Sequence, residues 1–178
     1  MKKPITIILI LLLLCGCSMA PTAPQPTPVP TLEATPTAEI PWEPELVFTT
    51  VDSEGREWTD RCFQEASLTM LNLWAYWCPP CVGELPDLQK LADAYADRGF
   101  RILGVSEKDY EQQNIQTIQE LGITYPCLRL PDGLEETLNT GYIPTTVFVN
   151  GEGKLVGDTL IGSRSYDDWA KIIEELLG

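Results

Sequence analysis

The segment Leu68–Cys81 reads LTMLNLWAYWCPPC, a largely apolar run followed by two cysteines with two prolines between them. The apolar run, Leu68–Trp74, is typical of a strand that is buried on both faces of a sheet. After the cysteines, apolar side chains recur at helical spacing as far as Gly99, which predicts a helix that ends there. Cys78 and Cys81 therefore lie where a predicted strand meets the N-terminus of a predicted helix.

A Cys-x-x-Cys pair at such a junction is typical of a redox-active site. Free N–H groups and the dipole at a helix N-terminus favour a thiolate, which lowers the pKa of Cys78. Cys78 would then attack a substrate disulfide, and Cys81, one turn further along the helix, would resolve the mixed disulfide. A disulfide with a purely structural role is the alternative interpretation.

The two prolines limit how far the pKa of Cys78 can fall. Pro79 and Pro80 have no N–H group, so the first two amide donors after Cys78 are missing. Only the Cys81 amide, the Cys81 thiol and the helix dipole remain to stabilise the Cys78 thiolate. We therefore expect a moderately lowered pKa, above about 5, and a couple nearer the reducing than the oxidising end of the known range.

Residues 46–178 have the alternating pattern of one α/β domain. A β-hairpin is predicted around an Asp-Ser-Glu-Gly turn near its start, and a second around Asn-Gly-Glu-Gly near its end. The last helix is predicted to begin at Ser165, with Asp168 completing a variant of the capping box. The order is a leading hairpin, a βαβ unit, an inserted strand and helix, and a closing ββα. The predicted strands are 47–51, 56–59, 68–74, 100–105, 125–130, 146–149 and 154–160.

The first residues are predicted to direct export and not to belong to the fold. Lys2 and Lys3 precede an apolar run of about ten residues, which is too short to span a bilayer but suits an export signal. The sequence around Cys17 resembles the bacterial lipoprotein signal, in which the cysteine is lipidated after cleavage. We therefore predict a signal peptide over 1–16 and a lipid anchor on Cys17. An ordinary secretory signal that is cut near Ala20 is the alternative.

Residues 17–45 are rich in proline and threonine and contain no glycine. Such a segment cannot bury a core, so we predict an extended tether that holds the domain away from the membrane. A proline-rich ligand for another protein is the alternative. With an export signal in front, we expect the domain on the outer face of the cell membrane or in the periplasm, where disulfides persist.

The composition excludes several functions. Twenty-six acidic side chains against 12 basic ones give a formal charge of -14, so we expect no nucleic-acid partner. The chain has no histidine, which excludes Ser-His and Cys-His catalytic pairs and metals or haem bound through histidine. We expect no metal and no other cofactor. The chemistry must therefore depend on cysteine, carboxylate or backbone groups.

Two motifs resemble those of a known family. The segment Trp77–Pro86, WCPPCVGELP, is similar to the Trp-Cys-x-Pro-Cys-x-x-Glu-x-Pro signature of the TlpA/ResA branch of the thioredoxin family, which are membrane-tethered, extracytoplasmic thiol-disulfide oxidoreductases. The segment Gly141–Thr146, GYIPTT, resembles the cis-proline loop that faces the Cys-x-x-Cys pair in thioredoxin folds. The resemblance covers residues 46–178. It implies a thioredoxin fold, with a central mixed sheet flanked by helices, an N-terminal β-hairpin and a short strand–helix insert.

The same resemblance implies roles for single residues. Glu84 would be the active-site acid that relays protons and tunes the thiols; a solvated helix glutamate is the alternative. Asn72 stands where cytoplasmic thioredoxins have a buried aspartate, which leaves Glu84 as the proton carrier. Trp77 is expected beside the motif, either in contact with substrate or as plain core. Pro144, if cis, would present the Ile143 backbone to an extended substrate, whereas a trans proline would mark an ordinary turn.

Cys62 and Cys127 complete the thiols of the predicted domain. They could form a structural disulfide, remain as two buried free thiols, or act as a second redox pair. A zinc site made with Cys78 and Cys81 is arithmetically possible, but the spacing resembles no zinc module.

The resemblance implies a lipid-anchored reductase of protein disulfides. Its partners would be disulfide-containing exported proteins, apocytochrome c among them for some relatives, and a membrane thiol transporter as the electron donor. We expect a monomer. An oxidase or isomerase direction is one alternative. A non-catalytic binding lipoprotein is the other, although the intact cysteine pair, Glu84 and Pro144 argue against a decayed site.

Overall fold

The apolar run at 68–74 forms the central strand of a five-stranded mixed sheet in the computed structural model, which describes residues 43–178. The strands of the domain are β1 (Thr49–Val51), β2 (Glu57–Thr59), β3 (Leu68–Trp74), β4 (Phe100–Ser106), β5 (Cys127–Arg129), β6 (Thr145–Asn150) and β7 (Leu155–Ile161). The sheet order is β5–β4–β3–β6–β7, in which β4 is parallel to β3 and β5, and β6 is antiparallel to β3 and β7. β1 and β2 form a separate antiparallel hairpin.

Four α-helices flank the sheet, and the predicted α/β class is confirmed. The helices are α1 (Pro79–Tyr95), α2 (Glu111–Leu121), α3 (Asp132–Leu138) and α4 (Tyr166–Leu177). The predicted cap of the last helix is also present, because Ser165 Oγ accepts a hydrogen bond from the Asp168 N–H at 3.3 Å and donates to Asp168 Oδ2 at 2.7 Å. Apolar side chains of α1, α2 and α4 cover one face of the sheet, and α3 and the N-terminal segment cover the other.

Strand alternation decides which side chains of β3 reach the helix that follows it. Met70 and Trp74 point to the face covered by α1, and Leu71 and Leu73 point to the opposite face. Asn72 lies between Met70 and Trp74 in this alternation, so its amide is directed beneath α1. A polar side chain is thereby placed inside an otherwise apolar layer, next to the first turn of α1.

Hydrophobic periodicity did not predict the short 3-10 helix Asp60–Glu65, because six residues are too few to show a period. Its Phe63 is fully buried and packs edge-on against Phe48, with ring centroids 5.8 Å apart. Cys62 belongs to the same turn and is buried beneath it. This 3-10 helix covers the same face of the sheet as α3, and it lies in sequence between the N-terminal hairpin and β3.

Two residues that precede the predicted domain start at residue 46 contact the domain. The Glu43 carbonyl accepts a hydrogen bond from Lys154 Nζ, and the Glu45 N–H donates to the Gly153 carbonyl. The predicted signal peptide, the predicted lipidation site at Cys17 and most of the predicted tether lie outside the described residues. Among residues 43–178, no helix combines the length and the apolar character needed to cross a membrane.

Gly133 in α3 tests the packing of the N-terminal segment. A Cβ atom at this position would lie 1.9 Å from the Val47 carbonyl oxygen, so we expect Gly133→Ala to push the segment off α3. The predicted loss is about 1–3 kcal/mol of unfolding free energy, the usual cost of overpacking. Gly83 in α1 is the matched control, because a Cβ there meets nothing within 4 Å. Gly83→Ala should be neutral or stabilising by up to about 1 kcal/mol in urea unfolding. Equal effects of the two variants would contradict this packing.

Candidate active site

Cys78 and Cys81 form a disulfide at the N-terminus of α1, at the predicted strand–helix junction. Cys78 is the N-cap residue, and Pro79 and Pro80 occupy the first two helical positions, where missing N–H groups cost the helix nothing. The Cys81 N–H is directed at Cys78 Sγ, with a nitrogen–sulfur distance of 3.2 Å. This amide is therefore the one early donor of the helix that would face a Cys78 thiolate in the reduced protein.

The two sulfurs differ in their access to solvent. Cys81 is fully buried against the core beneath α1, and Cys78 keeps a small exposed fraction at the surface. Its neighbours Trp77, Pro79 and Pro80 are exposed. An incoming disulfide could therefore reach Cys78, and Cys81 could act only on a partner already bound to Cys78.

The second predicted motif lies against the first, although the two are far apart in sequence. The Ile143–Pro144 peptide bond is cis, and the Ile143 carbonyl oxygen is 3.9 Å from Cys78 Sγ. The loop is held by Thr145, whose Oγ1 donates to the Tyr142 carbonyl at 2.7 Å, and by the Gly162 N–H, which donates to the Pro144 carbonyl at 2.9 Å. The backbone of Ile143 is thus fixed beside the accessible sulfur.

Glu84 is buried three residues after Cys81 and receives three N–H donors. Its Oε1 accepts from Asn72 Nδ2 at 3.1 Å. Its Oε2 accepts from the Arg164 backbone N–H at 3.1 Å and from Trp169 Nε1 at 3.2 Å. Burial raises the pKa of Glu84, and these hydrogen bonds, with the charge of Arg164, oppose the rise. The alternative of a solvated helix glutamate is therefore wrong.

The Asn72 amide can serve both protonation states of Glu84. Asn72 Nδ2 donates to Glu84 Oε1 and also to Thr146 Oγ1, at 3.0 Å, and Asn72 Oδ1 has no hydrogen-bond partner among residues 43–178. If the amide turned over, Oδ1 would accept from a protonated Glu84 and from the Thr146 hydroxyl. The network can thus hold the carboxyl with or without its proton, as a proton relay requires.

Trp77 is at the surface, and the alternative of plain core is wrong. Half of the Trp77 residue surface is exposed, and its ring meets Tyr110 edge-on with centroids 6.4 Å apart. Tyr110 comes from the segment before α2. Nothing in the sequence indicated this contact, because Tyr110 is far from Trp77 in sequence and no motif links the two residues.

Sequence reasoning also missed the partners that hold Glu84. Neither Trp169 nor Arg164 was predicted to contact the carboxylate. Thr146 lies directly opposite Asn72 in the β3–β6 ladder, a register that the sequence of one strand does not reveal. No local pattern could have assigned these hydrogen bonds.

Cys62 and Cys127 are both free and buried, which leaves the second of their three predicted states. They belong to the apolar layers on opposite faces of the sheet, so the sheet itself separates the two thiols. Burial raises the pKa of Cys62 to about 11, against the opposing charge of Arg101, and raises that of Cys127 to about 12. Within the described part of the chain, no group of three or more metal-ligating side chains comes together.

Comparison with known proteins gives a consistent family. The family model described as "AhpC/TSA family" matches residues 43–157. The thiol-disulfide oxidoreductase ResA of Oceanobacillus iheyensis is 35% identical over 92 residues, which are 51% of this chain and 48% of that protein. The chain spans about half the length of the first curated relatives that it matches.

The ResA relatives confirm the TlpA/ResA resemblance, and solved structures confirm the thioredoxin fold. A thiol:disulfide interchange protein of the thioredoxin family from Chlorobium tepidum superposes with a TM-score of 0.66 and 26% identity, over 79% of this chain and 100% of that one. The exposed lipoprotein thioredoxin of Streptococcus pneumoniae superposes with a TM-score of 0.60 and 27% identity, over 72% of this chain and 98% of that one.

The raised pKa of Glu84 predicts how stability depends on pH. Because the folded-state pKa exceeds that of the unfolded chain, the protonated carboxyl stabilises the fold, and this contribution is lost as the pH rises from 4.5 through the folded-state pKa. The unfolding free energy of the wild type, minus that of Glu84→Gln, should therefore fall in urea titrations as the pH rises above 4.5. Glu174→Gln is the contrast, because hydrogen bonds from Arg98 and Tyr95 lower the pKa of Glu174, so its difference should not fall. A Glu84 difference that rises with pH would contradict the burial argument.

The burial of Cys62 and Cys127 predicts selective alkylation. After reduction of the full chain at about pH 8, iodoacetamide should modify Cys78 rapidly, because thiolate character and access decide the rate. Peptides with Cys62 and Cys127 should stay unmodified until guanidinium is added, as read by mass spectrometry. Labelling of either buried thiol in the folded chain at the rate of Cys78 would refute this assignment.

Proposed function

The chain belongs to the AhpC/TSA family, and from this premise we propose that it is an extracytoplasmic thiol-disulfide oxidoreductase that reduces disulfides of exported proteins through Cys78 and Cys81. The observation that carries the proposal is the Cys78–Cys81 disulfide at the start of α1, with the Ile143 carbonyl 3.9 Å from Cys78 Sγ. Relatives over part of this chain are named thiol-disulfide oxidoreductase and thiol:disulfide interchange protein. The disulfide chemistry in these names agrees with the Cys78–Cys81 disulfide of this site.

In the proposed reaction, the reduced dithiol transfers two electrons and two protons to a substrate disulfide. The Cys78 thiolate attacks one substrate sulfur, which forms a mixed disulfide and expels the other sulfur as a thiolate. Cys81 then loses its proton and attacks Cys78 Sγ, which forms the intramolecular disulfide and releases the second substrate thiol. Glu84 is the buried group that would take the Cys81 proton, with Asn72 and Thr146 accommodating its change of state.

The substrate would bind as an extended segment along the cis-proline loop. Among residues 43–178, the Ile143 N–H makes no hydrogen bond, and the Ile143 carbonyl oxygen accepts none from an N–H or O–H group and lies 3.9 Å from Cys78 Sγ. Both groups are therefore available for strand-like pairing with a substrate backbone, which would set the substrate disulfide above Cys78. Trp77, beside Cys78, would contact the side chains that flank it.

The rest of the proposal concerns place and partners. We propose that the chain is anchored through a lipid on Cys17 and that residues 17–45 tether the domain. A relative by structure is described as an exposed lipoprotein thioredoxin, which supports this reading. The electrons would come from a membrane thiol transporter, and the substrates would be disulfide-containing exported proteins, apocytochrome c being one candidate.

The reduction potential of the Cys78/Cys81 couple tests the proposed direction. Because Pro79 and Pro80 withhold two amide donors from the thiolate, we expect a value nearer to about -270 mV than to about -120 mV. The full chain would be equilibrated in thiol buffers, and alkylation at each cysteine read by mass spectrometry. A value near about -120 mV, which is typical of a strong oxidant, would favour the oxidase direction.

Variants separate catalysis from mere binding. Cys81→Ser should accumulate the mixed disulfide with a model substrate such as insulin, Cys78→Ser should abolish reduction, and Cys127→Ala should reduce insulin at the wild-type rate. If the Cys78/Cys81 pair could not be oxidised and reduced reversibly in thiol buffers and the chain did not reduce insulin, the non-catalytic binding scaffold would be favoured.

A further inference from the structure

Three exposed aromatic rings form a cluster beside the accessible sulfur. Tyr76, Trp77 and Tyr110, here called the aromatic cluster, are 36%, 50% and 37% exposed. The Tyr110 ring centroid is 5.6 Å from that of Tyr76 and 6.4 Å from that of Trp77. Trp77 precedes Cys78 directly, so any substrate that reaches Cys78 passes next to this surface.

The cluster is held in place by a buried hydrogen bond. Asn114, on the first turns of α2, is buried, and its Oδ1 accepts from the Tyr76 backbone N–H at 3.0 Å. Tyr110 immediately precedes α2, so the helix fixes both the backbone of Tyr76 and the ring that packs on it. The rings therefore form a surface that is arranged before any partner binds, which limits the entropy lost on binding.

The ring faces of the cluster carry no cation from the described part of the chain. Elsewhere in this domain three rings do, because Arg101 stacks on Trp58, Arg98 on Tyr95 and Arg164 on Trp169. No lysine or arginine among residues 43–178 lies over the rings of the aromatic cluster. The cluster thus keeps negative ring faces open to a charged partner.

The charged side chains near the aromatic cluster carry a net negative charge. Glu107 and Asp109 are exposed in the turn that carries Tyr110, and neither forms an ion pair within residues 43–178. The two nearby cations are already paired, Lys108 with Asp132 and Arg129 with Glu111. The whole chain carries a formal charge of -14, so the wider field has the same sign.

We propose that the aromatic cluster binds a lysine or arginine side chain next to the substrate cysteine, so that the site prefers disulfides in basic polypeptide segments. This inference rests on the proposed reductase function and names its substrate class. The cation would stack on Trp77 and Tyr110, and the carboxylates of Glu107 and Asp109 would attract it over a longer range. Apolar segments would meet the same rings but gain nothing from the charge.

The test compares three symmetric peptide disulfides that differ only beside the cysteine, with arginine, norleucine or glutamate as the neighbour. The full chain is reduced, freed of reductant and mixed with each peptide, and the second-order rate constant is read by acid quench and mass spectrometry. Hydroxyethyl disulfide, which has no neighbouring side chain, reports the basal chemistry. We expect the arginine peptide to react at least about threefold faster than the norleucine peptide, with an advantage that shrinks in high salt.

Variants assign this preference to the rings. Tyr110→Leu keeps an apolar side chain but removes the ring face, so it should lower the arginine rate about threefold and leave hydroxyethyl disulfide unchanged. Tyr110→Phe should retain the preference, because its ring face remains. Leu121→Ala is the matched control, since Leu121 is 36% exposed at the C-terminal end of α2 and lies outside the cluster.

The possible results separate this inference from the proposed function. Equal rates for arginine and norleucine peptides, or an arginine advantage that survives Tyr110→Leu, would overturn the inference while normal reduction of hydroxyethyl disulfide upholds the reductase. No reduction of any of the disulfides by the reduced chain would overturn both. Circular dichroism of Tyr110→Leu, expected to match the wild type, confirms that a lost preference does not come from a lost fold.

Discussion

The buried carboxylate of Glu84 joins the parts of the molecule that make the candidate site. Its three N–H donors come from β3, from the segment before α4, and from α4 itself, and Asn72 extends the network to Thr146 on β6. A buried donor that loses its partner costs about 1–3 kcal/mol, so each of these elements is held to the position that satisfies the carboxyl group. The helix that begins at the cysteines is thereby fixed to the sheet and to the last helix at one point.

The amide at position 72 makes this arrangement possible. An aspartate at position 72 would place a second carboxyl group about 3.1 Å from that of Glu84. The two groups could not both ionise, and one of them would hold a proton at neutral pH. An asparagine avoids that conflict, because it donates to an ionised Glu84 and, when turned over, accepts from a protonated one. In this hydrogen-bonded pair Glu84 is therefore the group that gains or loses the proton, and the Asn72 side chain adapts to it.

Much of this fold could be predicted because its signals are local. The apolar run of β3, the cysteines at the helix start, the Gly99 stop and the Ser165 cap each depend on residues that are neighbours in sequence. The pairing of Asn72 with Thr146, the Trp169 donor and the Tyr110 ring depend on elements that meet only after folding. The 3-10 turn around Phe63 was missed for a different reason, since it has no period to detect. The contact between the cysteine motif and the proline loop could be predicted only from the family resemblance, because the spacing of residues in one sequence does not reveal long-range contacts.

The separation of Cys62 from Cys127 by the sheet has a consequence for how the chain reaches its native pairing. Before folding, four thiols between residues 43 and 178 could be oxidised in several combinations, and only one joins partners three positions apart. Every other pair of these cysteines is separated by 16 or more positions, and the entropy cost of closure grows with loop length. Once the sheet has formed, Cys62 and Cys127 are buried on its opposite faces, and the hydrogen-bonded strands between them keep the two thiols apart. A protein that we propose to exchange disulfides is in this way protected from scrambling its own.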